Sequence, residues 1–290
     1  MTQRTPAVRV EVTAQGVRSV SRPDTVAVEE PLEIRVAGES VSVTMRTPGD
    51  DFDLTLGYLL AEGVIAEATD VQRLMHCLDE DETGSPTYNV VDVTLAPGAR
   101  PDLSRSARHT YTTSACGVCG KTSIEAVTTR RRYAVESDPV RLRPETLVAM
   151  PTTLRARQKV FDRTGGLHAA GIFAADGRPL AVREDVGRHN AVDKVIGWAG
   201  REGLLPLTGH VLVVSARASF ELVQKAVMAG VPALVAVSAP SSLAVSLARE
   251  AGMTLVAFAR EPKLTVYAGE QRLVLERNDA PAPAALHTGQ

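Results

Sequence analysis

The chain has 290 residues, 44% apolar but only 4% aromatic, with a formal net charge of −2. It can therefore bury a core of Val, Ala and Leu in one large or two small domains, and it has no global positive field for gripping a nucleic-acid backbone. No run approaches the ~18 consecutive apolar residues of a membrane span, the opening Met1-Thr2-Gln3-Arg4-Thr5-Pro6 lacks the apolar core of a secretion signal, and three cysteines exclude a disulfide framework.

The chain reads as cytoplasmic, where thiols stay reduced. Residues 1–24 mix polar residues with Pro6 and Pro23 and are expected to form a flexible arm. Leu32, Ile34 and Val36 alternate, Gly38-Glu39 supplies a turn, and Val41, Val43 and Met45 continue the alternation, so this is a hairpin. Thr47-Pro48-Gly49-Asp50-Asp51 then caps a helix carrying Leu54, Tyr58 and Leu59 that ends near Gly63. Strands are expected at Val71 to Leu78 and Tyr88 to Leu95, which makes residues 25–108 a small β-rich domain closed by a linker. On the first of these strands His76 and Cys77 point to opposite faces, and Cys77 is expected to be a small buried hydrophobe.

Residues 109–135 hold the cysteine loop, a short helical start at Thr122 to Glu125, and the basic run Arg130-Arg131-Arg132. From Pro144 to Val160 the spacing is helical, with a break or kink at Pro151. Phe161 to Gly166 reads as a turn, and His168 to Phe173 with Leu180 to Val182 as a second hairpin reversed at Asp176-Gly177. Helices at Arg188 to Arg201, Phe220 to Ala229 and Ser242 to Ala251 then alternate with strands at Val211 to Val214, Ala233 to Val237 and Thr254 to Ala259. That alternation predicts a parallel sheet covered on both faces. Leu264 to Tyr267 and Arg272 to Leu275 add strands, so residues 136–277 form an α/β domain, and residues 278–290 are expected to be a disordered tail.

Ligands of open α/β sheets bind at the carboxyl ends of the strands. Three loops there are polar: Ser215-Ala216-Arg217-Ala218-Ser219, Ser238-Ala239-Pro240-Ser241-Ser242 and Arg260-Glu261-Pro262-Lys263. The first two open helices whose free N–H groups favour anions, which points to a phosphate-bearing ligand. No Walker or G-x-G-x-x-G sequence is present, so an ATPase or an ordinary dinucleotide dehydrogenase is disfavoured. Serines in such loops also serve simply as helix caps. His168, Arg188 and His189 sit in two further polar clusters suited to acid–base work or to ligand contacts, and Lys194 on the following helix is expected to face a ligand.

Cys116-Gly117-Val118-Cys119-Gly120, followed by Lys121, carries the most specific chemistry. One C-x-x-C is half of what structural zinc usually needs. A zinc deaminase would require H-x-E and P-C-x-x-C, whereas Ala169 and Ala170 follow His168 and Ala115 precedes Cys116. A thioredoxin-type dithiol sits rigidly at a helix start, while flanking glycines suggest a mobile loop. A persulfide relay is the remaining chemistry, with Lys121 lowering a thiol pKa.

Four segments together are similar to the formate dehydrogenase accessory sulfur carrier (FdhD) family: Ser114 to Gly120, Phe161 to His168, Glu184 to Lys194, and Ser219 to Ala226. The match runs in order from about Val26 to Leu275. The resemblance implies a cytidine-deaminase-like three-layer α/β core without the deaminase's zinc chemistry, hence no resident metal, beside the smaller β-rich domain. It implies that Cys116 carries a persulfide, assisted by Cys119. Sulfur would come from a cysteine desulfurase and go to the bis-guanine-dinucleotide form of the molybdenum cofactor before insertion into the formate dehydrogenase catalytic subunit. Phe258, Ala259, Arg260, Glu261, Pro262 and Lys263 resemble the family's cofactor-binding stretch; Ser215, Arg217, Ser219, His168, Arg188 and His189 are expected to complete the site, with GDP as a mimic. One departure stands out: the family's Ser-Gly-Arg reads Ser215-Ala216-Arg217, whose extra Cβ is expected to crowd a guanine or phosphate. A homodimer is compatible with the Val-rich edges.

Overall fold

The structure is a computed structural model that describes residues 1–77, 87–103 and 131–275. Two twelve-residue strands open it, β1 (Thr2–Thr13) and β2 (Gly16–Ala27), paired antiparallel with Thr13 opposite Gly16. The expectation of a flexible arm over residues 1–24 is thereby corrected. Val8, Val10 and Val12 stand opposite Ser21, Ser19 and Val17 on one face, and Pro6 pairs with Pro23. Each strand of a two-stranded ribbon is an edge strand, and edges tolerate proline.

The next unit is a four-stranded sheet in the order β4-β3-β6-β5. β3 (Glu30–Val36) and β4 (Glu39–Arg46) form the expected hairpin. β6 (Val90–Leu95) lies parallel to β3, and β5 (Val71–Cys77) pairs antiparallel with β6. Leu32, Ile34, Val36, Val91 and Val93 are fully buried, because every second residue of these strands faces helix α1 (Asp51–Ala61). Cys77 is half-buried rather than fully so, since its strand turns it away from the face on which His76 stacks on Phe52, ring centroids 4.9 Å apart.

α1 is covered on its other side by the helix Arg188–Arg201, so it is buried nearly all round. The larger sheet has six strands in the order β12-β11-β10-β9-β7-β8. β9 (His210–Val214), β10 (Ala233–Ala236) and β11 (Thr254–Arg260) are parallel. β7 (His168–Ala174), β8 (Pro179–Asp185) and β12 (Lys263–Ala268) pair antiparallel at the margins. The sheet is therefore mixed: the parallel centre and the β7–β8 hairpin are as predicted, and the connections β7–β8 and β11–β12 are too short for a crossover, so each pairs its strands antiparallel.

Its faces are covered unequally. Leu212, Val214, Leu234, Ala236, Leu255 and Ala257 share one core with α4 (Arg188–Arg201), α5 (Phe220–Met228) and α6 (Ser242–Glu250). Val211, Val213, Ala233, Val235 and Val256 pack on the other face under Leu147, Met150 and Leu154 of α2 (Pro144–Arg155). Three layers result, helix on sheet on helix. α2 runs through Pro151 without ending, and Phe161 lies not in a turn but in a short helix, α3 (Lys159–Thr164). Arg272 to Leu275 is not a strand but a 3-10 turn followed by the single bridge of Leu142 to Leu273.

α1 and α4 cross antiparallel at two glycines. A Cβ on Gly57 would lie 1.8 Å from the Asp193 carbonyl oxygen, and one on Gly197 would lie 1.8 Å from that of Asp53. The two helices carry the same Asp-x-x-x-Gly spacing, so each glycine receives the other helix's backbone.

Candidate functional site at one sheet edge

The carboxyl ends of β9, β10 and β11, the start of β7 and the end of β8 all fall on one edge of the six-stranded sheet. Each predicted site residue within the described part of the chain lies along it. His168 opens β7 opposite Asp185, Arg188 and His189 begin α4, Ser215 to Ser219 link β9 to α5, and Phe258 to Lys263 close the β11–β12 turn. Four strand spacings separate β7 from β12, about 19 Å, long enough for an extended ligand. Cys116, Cys119 and Lys121 lie outside the described residues.

The loops are cross-tied. Ser215 extends the β7 ladder by donating its N–H to the Ala169 carbonyl at 3.0 Å while its hydroxyl accepts from Ala169 N–H at 2.9 Å. The Ala218 N–H donates to the Ala239 carbonyl and the Ser241 N–H to that of Ala218. The Ser241 hydroxyl accepts from Ala244 N–H at 3.2 Å, which is a capping role. The Ala216 side chain packs into the main core, 6% exposed, so the extra Cβ is directed into the interior. Arg217 is exposed.

Phe258, at φ 51, is 37% exposed, and its N–H donates to the Ser238 carbonyl. Ala259 is wholly buried on the α2 side of the sheet. Arg260, Glu261, Pro262 and Lys263 are exposed, with Arg260 opposite Lys263.

Two histidines behave alike. Burial, with a smaller contribution from Arg188, lowers the pKa of His168. Burial, Lys225 and Arg188 push that of His189 down to about 4, against the pull of Glu221 and Glu62. Both rings are therefore neutral at pH 7 and offer a nitrogen lone pair rather than a charge. His189 Nε2 lies 3.9 Å from a Glu221 carboxylate oxygen. Burial raises the pKa of Glu221, but its own backbone N–H, the Ser219 hydroxyl, His189 and Arg188 outweigh that and leave it lowered. Glu221 is the edge residue that sequence reading missed, although it sits two positions after Ser219 in a motif already singled out.

His189 gives a pH signature. The unfolded chain takes up a proton near pH 6.5 that the folded chain refuses until about pH 4, so stability falls as the pH drops through that window. His189→Gln is expected to flatten the fall in Tm between pH 7 and pH 4.5, measured by scanning fluorimetry. An unchanged slope would show that His189 is not held neutral.

Lys194 does not face a ligand. It is 1% exposed and pairs with Asp185 at 2.8 Å, because α4 turns that face toward the loop of Thr47, whose carbonyl accepts from Nζ at 2.9 Å. Asp193 is likewise buried, 2.9 Å from Lys225. Among the described residues no group of three or more His, Cys, Asp or Glu is arranged to hold a metal ion, and no helix is long and apolar enough to cross a membrane.

Two clefts flank this frame. One of about 380 Å³, lined by Leu167, Leu180, Arg183 and Glu184, adjoins the β7–β8 end of the site edge. The other, about 460 Å³, lies at the opposite edge among Leu60, Val64, Leu205, Met228, Arg100 and Tyr133. The ends of the described chain on either side of the cysteine segment also lie at that opposite edge. Asp102 N–H donates to the Val64 carbonyl, and Arg131 reaches the carbonyl of Ala251, just past α6.

Residues 27–274 match the sequence profile of the FdhD/NarQ family. The chain belongs to that family. Curated FdhD relatives named "Sulfur carrier protein FdhD" include one from Mycolicibacterium paratuberculosis, 59% identical over 88% of this chain and 94% of the relative. Another, from Streptomyces avermitilis, is 55% identical over 95% of this chain and 96% of the relative. Among solved structures, a formate dehydrogenase accessory protein from Desulfotalea psychrophila aligns with a TM-score of 0.70 over 93% of this chain and 99% of its own, at 22% identity. At that identity the likeness speaks for the shared mixed α/β fold. The FdhD/NarQ match begins at Ala27, the last residue of β2, so the rest of the opening hairpin lies outside it.

Proposed function

We propose that this chain is a sulfur carrier in the maturation of formate dehydrogenase. Cys116 attacks the terminal sulfur of a persulfide on a cysteine desulfurase; the new S–S bond forms on Cys116, the donor's S–S bond breaks, and the donor leaves as a thiolate. The Cys119 thiolate then attacks the Cys116 sulfur: a Cys116–Cys119 disulfide forms, the persulfide S–S bond breaks, and the outer sulfur leaves at the sulfide level, the two thiols having supplied its two electrons. It passes to the bis-guanine-dinucleotide form of the molybdenum cofactor, held as cargo at the sheet edge before its insertion into the formate dehydrogenase catalytic subunit. In this reading the three-layer core is cytidine-deaminase-like, the protein works in the cytoplasm as a homodimer, and GDP mimics one end of the cargo.

The observation that carries this reading is the convergence of Arg188, His189, Arg217, Ser219, Arg260 and Lys263 from three connections on one edge. Cations and the amino ends of α4 and α5 suit phosphates, and neutral imidazoles suit hydrogen bonds to a base or sugar. The names carried by the relatives support it as well.

The test is a sulfur-loading assay. Incubation with a cysteine desulfurase and cysteine is expected to add about 32 Da, one sulfur atom, to the peptide containing Cys116. Cys116→Ser is expected to show no such adduct and to leave formate dehydrogenase inactive. An adduct on another residue of that variant, or full enzyme activity with it, would remove Cys116 from the mechanism.

A further inference from the structure

The hairpin β1–β2 is out of proportion to any role within the chain. All residues from Val8 to Asp24 are exposed, so the outer part of the ribbon stands clear of the body on both faces. Val8, Val10, Val12 and Val17 are 64%, 56%, 78% and 68% exposed and share one face with Ser19 and Ser21. Arg9, Arg18 and Arg22 lie on the other face with Glu11. A two-stranded ribbon is marginal by itself in water, and a contiguous apolar strip of this kind marks an interaction surface.

The base of the arm fixes where that surface points. Arg163 of α3 donates to the Thr2 hydroxyl at 2.8 Å, and Ala27 packs near Gly166, two residues before His168. The arm therefore rises beside the edge that gathers the ligand-binding loops.

Its charge and size narrow the occupant. Residues 1–27 hold four arginines (Arg4, Arg9, Arg18, Arg22) against Glu11 and Asp24, a net +2 in a chain whose total is −2. Stacking two such arms valine face to valine face would remove only about 800 Å² from water, the scale of a crystal contact, and would leave Arg9, Arg18 and Arg22 on the outer faces, away from the contact. A second copy is thus a poor partner for this face. A cleft with one apolar wall and one carboxylate-bearing wall is a good one.

We propose that the β1–β2 arm is the docking element for the protein that receives the cofactor, which takes the ribbon into a cleft whose apolar wall packs on Val8, Val10, Val12 and Val17 and whose facing wall brings carboxylates to Arg9, Arg18 and Arg22 on the opposite face. The proposal rests on the sulfur-carrier reading above and adds the recipient's contact surface to it. Placed here, the recipient meets the cargo at the edge where it is held.

The experiment measures binding of the formate dehydrogenase catalytic subunit, prepared without its cofactor, to the full-length chain by biolayer interferometry. Val10→Asp/Val12→Asp and Arg9→Glu/Arg18→Glu/Arg22→Glu are each expected to weaken binding at least tenfold. Wild-type affinity should fall steeply between 50 and 300 mM salt, on the order expected when several charge pairs are screened. Sulfur loading of Cys116 and the stabilisation of the protein by GDP should be unchanged in both variants, which also shows that each is folded.

Wild-type affinity in both variants overturns the proposal. So does an arm whose mutation abolishes self-association, binding to phosphatidylglycerol vesicles or binding to duplex DNA while leaving the enzyme interaction intact. A wild-type chain that loads sulfur yet does not bind the apoenzyme sinks this inference alone; one that never loads sulfur sinks the carrier reading and this inference with it.

Discussion

Gly197→Ala is expected to destabilise the chain by about 3–5 kcal/mol, a large part of the roughly 5–15 kcal/mol that holds a domain folded. In the middle of a helix this substitution ordinarily stabilises by up to about 1 kcal/mol. Here the new Cβ would meet the Asp53 carbonyl oxygen at 1.8 Å, its carbon at 2.7 Å and the Gly57 nitrogen at 2.8 Å. Those are backbone atoms of a helix buried on nearly all sides, so no rotamer change relieves the overlap and α1 must move bodily. Gly57→Ala meets the Asp193 carbonyl in the same way.

Gly200, one turn along the same helix, is the control. Its Cβ would touch only side-chain carbons, those of Leu60, Ala68 and Leu56 at 3.2 to 3.4 Å, and its replacement is expected to change stability by under about 1 kcal/mol either way. Urea unfolding followed by circular dichroism decides the matter. If Gly197→Ala and Gly200→Ala have equal midpoints, the close crossing of α1 and α4 is wrong.

What the sequence made legible follows from how local each signal is. The strands at Val211, Ala233 and Thr254 are continuous apolar runs between helical spacings, and a reader needs no distant contact to place them. The polar clusters at their ends were legible for the same reason, since strand ends and helix starts fix the edge.

Where reading failed, a remote group had decided the outcome. α3 forms at Lys159–Thr164 because the Glu184 carboxylate, from β8, accepts the N–H groups of Val160 and Phe161 at 2.9 and 2.8 Å. α2 passes Pro151 because Leu147, Met150 and Leu154 bury themselves on the sheet, which offsets a lost hydrogen bond and ring clash of about 3 kcal/mol. Arg272 leaves the expected strand to serve the carbonyls of Gly252, Val135 and Glu136. Lys194 had the composition of a ligand residue, and only the fold reveals that its partner is Asp185, nine positions earlier and across the start of α4.

That pairing yields the second large effect. Lys194→Met is expected to destabilise by about 3–5 kcal/mol, the range for breaking a buried ion pair from one side. Asp185 is wholly buried and would keep its carboxylate with neutral donors only: Thr47 N–H at 3.1 Å, Gly187 N–H at 2.9 Å and the Asn190 amide at 3.0 Å. The same donors tie the loop before α1 to the loop before α4, so the lost cation should also loosen Arg188 and His189 and reduce stabilisation by GDP. Asp185→Asn/Lys194→Met removes both charges at once and is expected to recover part of the stability, since no unpaired ion then remains inside. A Lys194→Met chain within 1 kcal/mol of wild type, by the estimate for buried pairs, would mean that Asp185 does not rely on it. A double variant no better than the two single losses added together would show that the pair is not coupled.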